Sequence, residues 1–596
     1  METSRGKTRE EIINRLADRI DSFEKYTQPH SRLIADLATR LARRFGLASS
    51  DVDAIGEAAM LHDIGLYAMS PPYHSAAGPL SFEARLDLWR HPVIGEQQMA
   101  KRDANRHAQL LVRWHHEWWN GSGYPDMLAF EDIPIGARIL RAVELYSALI
   151  ADRPYRRALD DEQVIEALTS SAGIECDPYV VKALLALLDE LRVNAAELEM
   201  TAIEYELSPG SPIAESASTE AVNVSSLSSD APHSDDFFRA VVPHPSNVEG
   251  EIPLAANSSA PRASESSLPR SVPAVTALGD DPQWQGWIRS RYNRKTLLGF
   301  QASVLRQIEF RSIAFGVWNE TRLDLYLKAW GKAIFANDPR AWASTVARAA
   351  VEAAEPLGEA LIARLLEDVY VPGVKLENPD LRSWFPETDA WWMDNLRKNI
   401  DTLEDQLSRA QALTLGIQTG DYALSFVETA REIRRPLTTV FWRLAGRVFQ
   451  GPVTQAQNRS FNYPVEEFIK HARADLLYLS LPSSHTERGG AEARSKWRES
   501  WVRGSSSHET DQAASLAPAP QSRQSYLACV DRWLRLASHF RTWAIEYQET
   551  GMATAQDVVE LIKEYRPVRA TYSKDVTEVA GGLRSYIIVG EKSSAR

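Results

Sequence analysis

Histidines and carboxylates gather at a few points in the first quarter of the chain. His30 sits in YTQPHSRL, His62 and Asp63 are adjacent in AAMLHDIGLYAM, and His91 lies in LWRHPVIGEQQM. His115, His116 and Glu117 stand together in WHHEWWNGSGYP, and Glu144 falls in RAVELYSALIADRPYR. Imidazole and carboxylate groups without thiolates suit iron, manganese or a similar divalent ion at a hydrolytic centre. In an adjacent His-Asp pair the carboxylate can bridge two cations while the imidazole fills a position on one, which gives a two-metal clamp. A lone histidine on a helix is ordinarily a core or surface residue. A His-Asp pair followed by His-His-Glu and a Gly-Ser-Gly-Tyr-Pro turn is a far more specific string.

Such groups act together only if separate segments aim them at one point, and the facing helices of a bundle can do that. From about Glu10 to Leu198 the chain reads as nearly continuous helix. RLIADLATRLARRFGL (32–47) and VKALLALLDELRV (181–193) repeat apolar residues at helical spacing, with breaks at SPPYHSAAGPLS (70–81) and NGSGYP (120–125). From about Glu206 to Gln283 the sequence is rich in Ser, Ala and Pro and buries too little apolar surface to offset its chain entropy, so it reads as a disordered tether. Beyond it, the short apolar runs KAIFAND (332–338), ADLLYLSLP (474–482) and RSYIIVGEK (584–592) alternate with helical stretches, which predicts a doubly wound parallel sheet. The expected organisation is multidomain: an all-α domain over 1–204, a disordered linker over 205–283, and an α/β domain over 284–596 with a low-complexity insert at 489–524.

The chain has 596 residues, 44% of them hydrophobic, enough for more than one buried core. Lys and Arg number 67 against 80 Asp and Glu, a net charge of -13, which argues against a surface that tracks nucleic acid throughout. Two cysteines, Cys176 and Cys529, exclude a disulfide framework or thiolate cluster and suit a reducing compartment. METSRGKTREEIINRLADRI lacks the apolar core of a secretion signal, and no apolar run approaches the ~20 residues that span a bilayer. The expectation is a cytoplasmic protein with no membrane partner.

HDIG at 62–65, HHEWWNGSGYP at 115–125 and DRPYR at 152–156, in this order and spacing, resemble the HD-GYP family of the HD superfamily. The resemblance covers roughly residues 15–200, and CDPYVVKAL (176–184) is similar to the family's trailing helix. It implies a metal-dependent phosphodiesterase that opens cyclic di-GMP or a related cyclic dinucleotide. It further implies two divalent metals, iron or manganese, held by His30, His62, Asp63, His91, His115, His116 and Glu144, with His62 and Asp63 at the catalytic centre. Gly121, Gly123, Tyr124 and Pro125 would shape the loop beside the substrate, supported by Arg153 and Arg156, and Glu117 would orient a ligand histidine. Trp118 and Trp119 are the candidates for contacting a guanine.

Three positions depart from the family's pattern. The lysine of HDIGK, which meets the substrate phosphate, is Leu66 here, so slow turnover is expected. Glu144 stands where the family usually has Asp. Tyr26 occupies the position where some members place a Glu for a third metal, so two metals are expected.

Strings in the second half resemble the D12 class of N6-adenine DNA methyltransferases across roughly 285–592. FGVWNETRLDLYLKAWGKAIFANDPRAW (315–342) has the layout of a first βα unit and a second strand ending at Asn337-Asp338, where Asp338 is a candidate to bind a ribose or to cap a helix. TWAIEYQETGMATAQDVVELIKEYRPVRATYSKDVTEVAGGLRSYIIVGEK (542–592) has the layout of a closing strand, helix and hairpin. The chemistry reads as eroded. The glycine-rich turn is reduced to Gly316 with bulky Trp318, and the Asp-Pro-Pro-Tyr turn is replaced by Ser480, Leu481, Pro482 and Ser483, so S-adenosylmethionine is not expected.

Three functions follow from these readings: a dinuclear cyclic-dinucleotide phosphodiesterase, a nucleotide-binding signalling module disabled by Leu66, and a nucleic-acid-binding pseudo-methyltransferase regulated by the helical domain. The retained ligand set favours the first. Neither oligomeric state nor contact between the domains follows from the sequence.

Overall fold

The computed structural model describes residues 9–25, 29–71, 80–152, 157–207, 297–318, 322–371, 373, 375–426, 428–446, 457–481, 490–504, 522–549, 553–575 and 584–592. Among them, ten α-helices occupy the first part of the chain: α1 Arg9–Phe23, α2 His30–Arg44, α3 Ser49–Met60, α4 Ile64–Met69, α5 Phe82–Leu88, α6 His91–Ala100, α7 Arg106–Trp114, α8 Ile135–Ile150, α9 Asp161–Ser171 and α10 Pro178–Leu207. In α2, Ile34, Leu37, Ala38, Leu41 and Ala42 are buried, the i, i+3, i+4, i+7, i+8 stripe that turns one helix face to a core. That stripe packs on α3 and α8. The start of α2 is fixed from outside: Asp21 of α1 accepts hydrogen bonds from Ser31 N at 3.2 Å and Ser31 Oγ at 2.6 Å. A capping box between Asp160 and Gln163 opens α9.

The second part carries a seven-stranded sheet of β1 Ser312–Phe315, β2 Ala333–Asn337, β3 Arg459–Phe461, β4 Leu476–Ser480, β5 Thr542–Gln548, β6 Val568–Asp575 and β7 Arg584–Glu591, in the order β3-β2-β1-β4-β5-β7-β6. The three apolar runs read from the sequence as strands are β2, β4 and β7. Every residue of central β4 is buried, which is why LLYLS is an unbroken apolar run, whereas edge strand β6 has no fully buried residue. The expected parallel sheet is corrected at one edge: β1 to β5 are parallel, but β7 runs antiparallel to β5 and to β6, its partner in the hairpin read over 542–592. A close reversal such as that from β6 to β7 pairs antiparallel, because a parallel partner needs a long crossover.

Between β2 and β3 the chain inserts the helices Glu359–Leu365, Glu387–Asp401, Gln406–Leu424 and Leu437–Ala445. Most of their buried apolar residues belong to the hydrophobic cluster that also holds most of those from α1 to α10. Tyr422 and Phe426 press on Gly173, Lys182 pairs with Glu432 at 2.7 Å, and Arg494 pairs with Glu131 at 3.1 Å. The two halves therefore share a core, a relationship the sequence leaves open.

The low-complexity reading of 489–524 is corrected for its first part. Gly490–Arg503 is a helix whose Trp497 and Trp501, four residues apart on one face, are fully buried against Gly416 and Gly420. The surrounding Ser, Ala and Gly diluted that two-indole anchor in any average of composition. The linker expected at 205–283 begins inside α10, which runs to Leu207; its remainder lies outside the described residues. No helix among the described residues is long and apolar enough to cross a membrane.

Candidate metal centre

Helix ends, more than helix faces, deliver the predicted groups. His30 opens α2, His62 and Asp63 form the turn between α3 and α4, His91 opens α6, and His115 and His116 follow the last turn of α7. Glu144 is within α8. Three of the imidazoles are set by one device. The Nδ1 atoms of His62, His91 and His115 lie 2.9, 2.8 and 2.6 Å from the carbonyl oxygens of Ala59, Leu88 and Val112, each three residues earlier. A carbonyl only accepts, so each Nδ1 carries a proton, and it is the neutral form of each ring that keeps a lone pair on Nε2. His30 Nδ1 meets Ser147 Oγ at 2.8 Å.

The freed atoms converge. Asp63, His91, His115 and His116 each offer a ligand atom, all within 4.8 Å of one another, and Glu24, His30 and His62 form a second such group. The His62–Asp63 dipeptide joins the two. His62 Nε2 is 3.2 Å from Asp63 Oδ2, and His91 Nε2 is 3.1 Å from Asp63 Oδ1. His91 Nε2 and His115 Nε2 are 3.5 Å apart with lone pairs facing, an arrangement that calls for a positive charge between them. His62 Nε2 and Asp63 Oδ1 are buried, and their short contacts are with each other's residue and with His91. Facing lone pairs, a buried carboxylate and the absence of thiolate fit a divalent cation, and the cluster can hold metal.

The electrostatics follow from burial and from the pair. Burial would depress His62, but Asp63 and then Glu144 and Glu24 outweigh it and push it up to about 10. Burial would raise the Asp63 carboxyl, but the charges of His62 and His91 hold it well below the usual carboxylate range. Burial depresses His30 to about 3, with His62 adding to the effect, and it likewise depresses His115 to about 3. His116 is held well below its ordinary value by burial and by His115. These neutral imidazoles are the ligand form.

Glu144 stands outside both groups, its Oε2 3.7 Å from His116 Nδ1 and 3.4 Å from Arg141 Nη1. Burial raises its pKa against the pull of Arg141. Glu24 is the residue the sequence reading missed. Attention fell on Tyr26, which lies outside the described residues, and the nearest acid upstream of the YTQPH turn was the available signal.

The loop Gly121, Gly123, Tyr124, Pro125 runs beside the cluster. The Tyr124 ring is 4.9 Å from that of His116 and stacks on Trp89 at 5.3 Å. Leu325, from the helix Leu323–Ala329 of the second half, packs into the same small cluster as Trp89 and Tyr124. The Glu117 carboxylate accepts from Asp126 N at 2.7 Å and Leu128 N at 2.9 Å, closing the loop. Trp119 packs edge-on to Phe130 in the core, and Trp118 is also buried. Arg153 and Arg156 lie outside the described residues. Asp338, the residue after β2, is fully buried, with Arg340 Nε 2.9 Å from its Oδ1 and Nη2 2.9 Å from its Oδ2, so a ribose would meet a carboxylate already engaged. Leu66 is buried in α4.

Residues 11–180 match the family model described as HD domain. The chain is 33% identical over 194 residues to 3'3'-cGAMP-specific phosphodiesterase 2 of Vibrio cholerae, covering 32% of this chain and 37% of that protein. It is 34% identical over 178 residues to the cyclic di-GMP phosphodiesterase response regulator RpfG of Xanthomonas campestris, covering 29% of this chain and 47% of that protein. The chain thus spans less than half the length of either relative. Among solved structures it matches a cyclic GMP-AMP-specific phosphodiesterase of V. cholerae with 12% identity and a TM-score of 0.26, over 74% of this chain and 94% of that one.

Proposed function

We propose that the helical half is a metal-dependent phosphodiesterase of the HD-GYP type that opens a cyclic dinucleotide. One observation carries this reading: two groups of ligand atoms, from Asp63, His91, His115 and His116 and from Glu24, His30 and His62, meet at the His62–Asp63 pair. In this reading the two groups hold two cations, iron or manganese, with Glu144 adjoining through His116. Divalent cations bound there would polarise phosphoryl oxygens and supply a nucleophile from water at neutral pH. Asp63 spans the two groups; the Nδ1 contacts of His62, His91 and His115 keep their Nε2 atoms aimed inward; Tyr124 walls the site beside His116. The names of the relatives support cyclic di-GMP and 3'3'-cGAMP as the substrate class. Leucine at position 66 gives no donor to a phosphate, so turnover is slow.

For the second half, the strand order supports a methyltransferase-like doubly wound fold joined to the helical unit through residues 205–283. Its chemistry is lost in this reading. Asp338 is engaged by Arg340, and Ser480 Oγ is bound to Glu546 Oε2 at 2.6 Å, with neither acid nor ring from the turn positions Ser480 and Leu481.

The deciding assay incubates the full chain, loaded anaerobically with Fe(II) or Mn(II), with cyclic di-GMP and with 3'3'-cGAMP. Chromatography should detect linear dinucleotide and mononucleotides. Equal product from Asp63→Ala would overturn the proposal.

A further inference from the structure

The loop that flanks the metal centre has a second side. Behind it, against the second half of the chain, lies a cavity of about 160 Å³. Trp118, Asn120 and Ser122 form the near wall. The far wall is a small-residue face, Ala349, Ala350 and Ala353, at the end of the helix Ala341–Glu352 and just past it. Gln411, Thr414 and Gln418 close it from the helix Gln406–Leu424. None of the residues of the metal centre lines this space.

Size and chemistry select the occupant. The volume is close to the ~150 Å³ engineered cavity that accepts one benzene, so a single ring system fits and a cyclic dinucleotide does not. Trp118 supplies an aromatic surface; with Gln411 Nε2 donating to Glu355 O at 2.6 Å and Asn120 Oδ1 accepting from Ser122 N at 3.0 Å, the Gln418 amide, the Gln411 carbonyl and the Asn120 amino group are left to read the edge of a base. The indole N–H of Trp342, also in the wall, is buried without an acceptor. The cations at the wall are committed elsewhere. Arg498 pairs with Asp421 at 2.6 Å, Arg322 with Asp324 at 3.1 Å, and Lys328 Nζ donates to Ala350 O at 2.7 Å. The three cations are balanced by Asp421 and Glu355 in the same wall and by Asp324 beside Arg322 and Lys328, which points to an uncharged ligand.

We propose that this cavity is a binding site for a single nucleobase or its nucleoside, and that occupancy is transmitted to the adjoining Gly123-Tyr124-Pro125 loop. Transmission has a steric basis. The backbone at Gly123 passes so close that an added Cβ would lie 2.2 Å from Trp118 N, so the wall of the cavity and the loop move together. Any effect on turnover rests on the phosphodiesterase reading above; binding itself does not.

The test is calorimetric titration of the full chain with adenine, guanine, hypoxanthine, uracil and cytosine, their nucleosides, and the nucleoside 5'-monophosphates. One base or nucleoside binds at a 1:1 ratio, and its monophosphate binds at least tenfold more weakly. Ala349→Leu, which fills the cavity, weakens binding at least tenfold. Gln418→Leu, which keeps the volume and removes an amide, does so independently should the first variant fold poorly. Hydrogen exchange of residues 118–128 slows when the ligand is bound. Absence of binding at 1 mM to folded wild type, or binding unchanged in Gln418→Leu, overturns the site. Binding in a chain that hydrolyses no cyclic dinucleotide upholds the site and removes only the phosphodiesterase reading.

Discussion

The ammonium of Lys574 lies 2.6 and 2.7 Å from the two carboxylate oxygens of Glu96, joining edge strand β6 to helix α6 across 478 positions of sequence. Glu96 also accepts from Arg106 and Arg113 at 2.8 and 2.9 Å. Arg113 in turn grips Asp126, the residue after Pro125, and Asp126 Oδ1 accepts from Gly299 N at 3.1 Å. This buried chain of charges runs behind the loop and the start of α6, where His91 sits. The second half therefore braces the segments that carry the candidate ligands.

Removing the brace should cost stability with a defined pH signature. Burial would raise the Glu96 carboxyl, but Arg113 and Lys574 bring it down to about 2 from an ordinary 4.5. With the folded value below the unfolded one, the stabilisation is complete above pH 4.5 and is lost as the pH falls toward 2. It amounts to about 3 kcal/mol at ~1.4 kcal/mol per unit. Chemical denaturation of Glu96→Gln should show that loss at pH 7 and a smaller decline between pH 4.5 and 3 than wild type. Parallel acid profiles for the two proteins would refute it. Lys574→Met, which leaves both arginines in place, should cost about 1.5–3 kcal/mol.

Chelation should destabilise the fold. A cation present at 100 to 1,000 times its dissociation constant adds ~2.7–4.1 kcal/mol to a fold that alone binds it. Melting with and without EDTA should differ by that amount in wild type and coincide in Asp63→Ala. Coincident wild-type curves after metal loading would count against the centre.

The small residue beside the ligand pair is held by close contact. A Cβ on Gly65 would lie 1.9 Å from His91 O and 2.6 Å from Gly95 N, both backbone atoms that cannot swing aside. Gly65→Ala should force α4 from α6, cost about 3 kcal/mol and weaken metal uptake at least tenfold, read by elemental analysis. Uptake equal to wild type would show that His91 is not displaced.

Leu66→Lys restores a cation one turn along α4 from Asp63. A gain of one phosphate-stabilising donor should raise kcat on a cyclic dinucleotide about tenfold or more while leaving metal content unchanged. A rate no higher than wild type would place the limit on turnover elsewhere.

Most of the residue types that could meet a cation were legible because they sit beside a helix boundary marked in the sequence, with Pro29 before His30, Pro92 after His91 and the Gly-Ser-Gly turn after His116; Glu144, within α8, has no such mark. The strands β2, β4 and β7 were legible as apolar runs between helices. Sequence alone thus determined which groups are available and the local segments that carry them, since both depend on side-chain type and on short-range periodicity. It did not determine that Glu24 joins His30 and His62, that Nδ1 of three histidines is tied to the carbonyl three residues back, or that β7 lies between β5 and β6. Nor did it reveal that Trp497 and Trp501 anchor a helix, or that Lys574 reaches Glu96. Those are distances between atoms remote in sequence or set by a turn's backbone geometry, and only the packing of one half against the other, in a shared core, decides them.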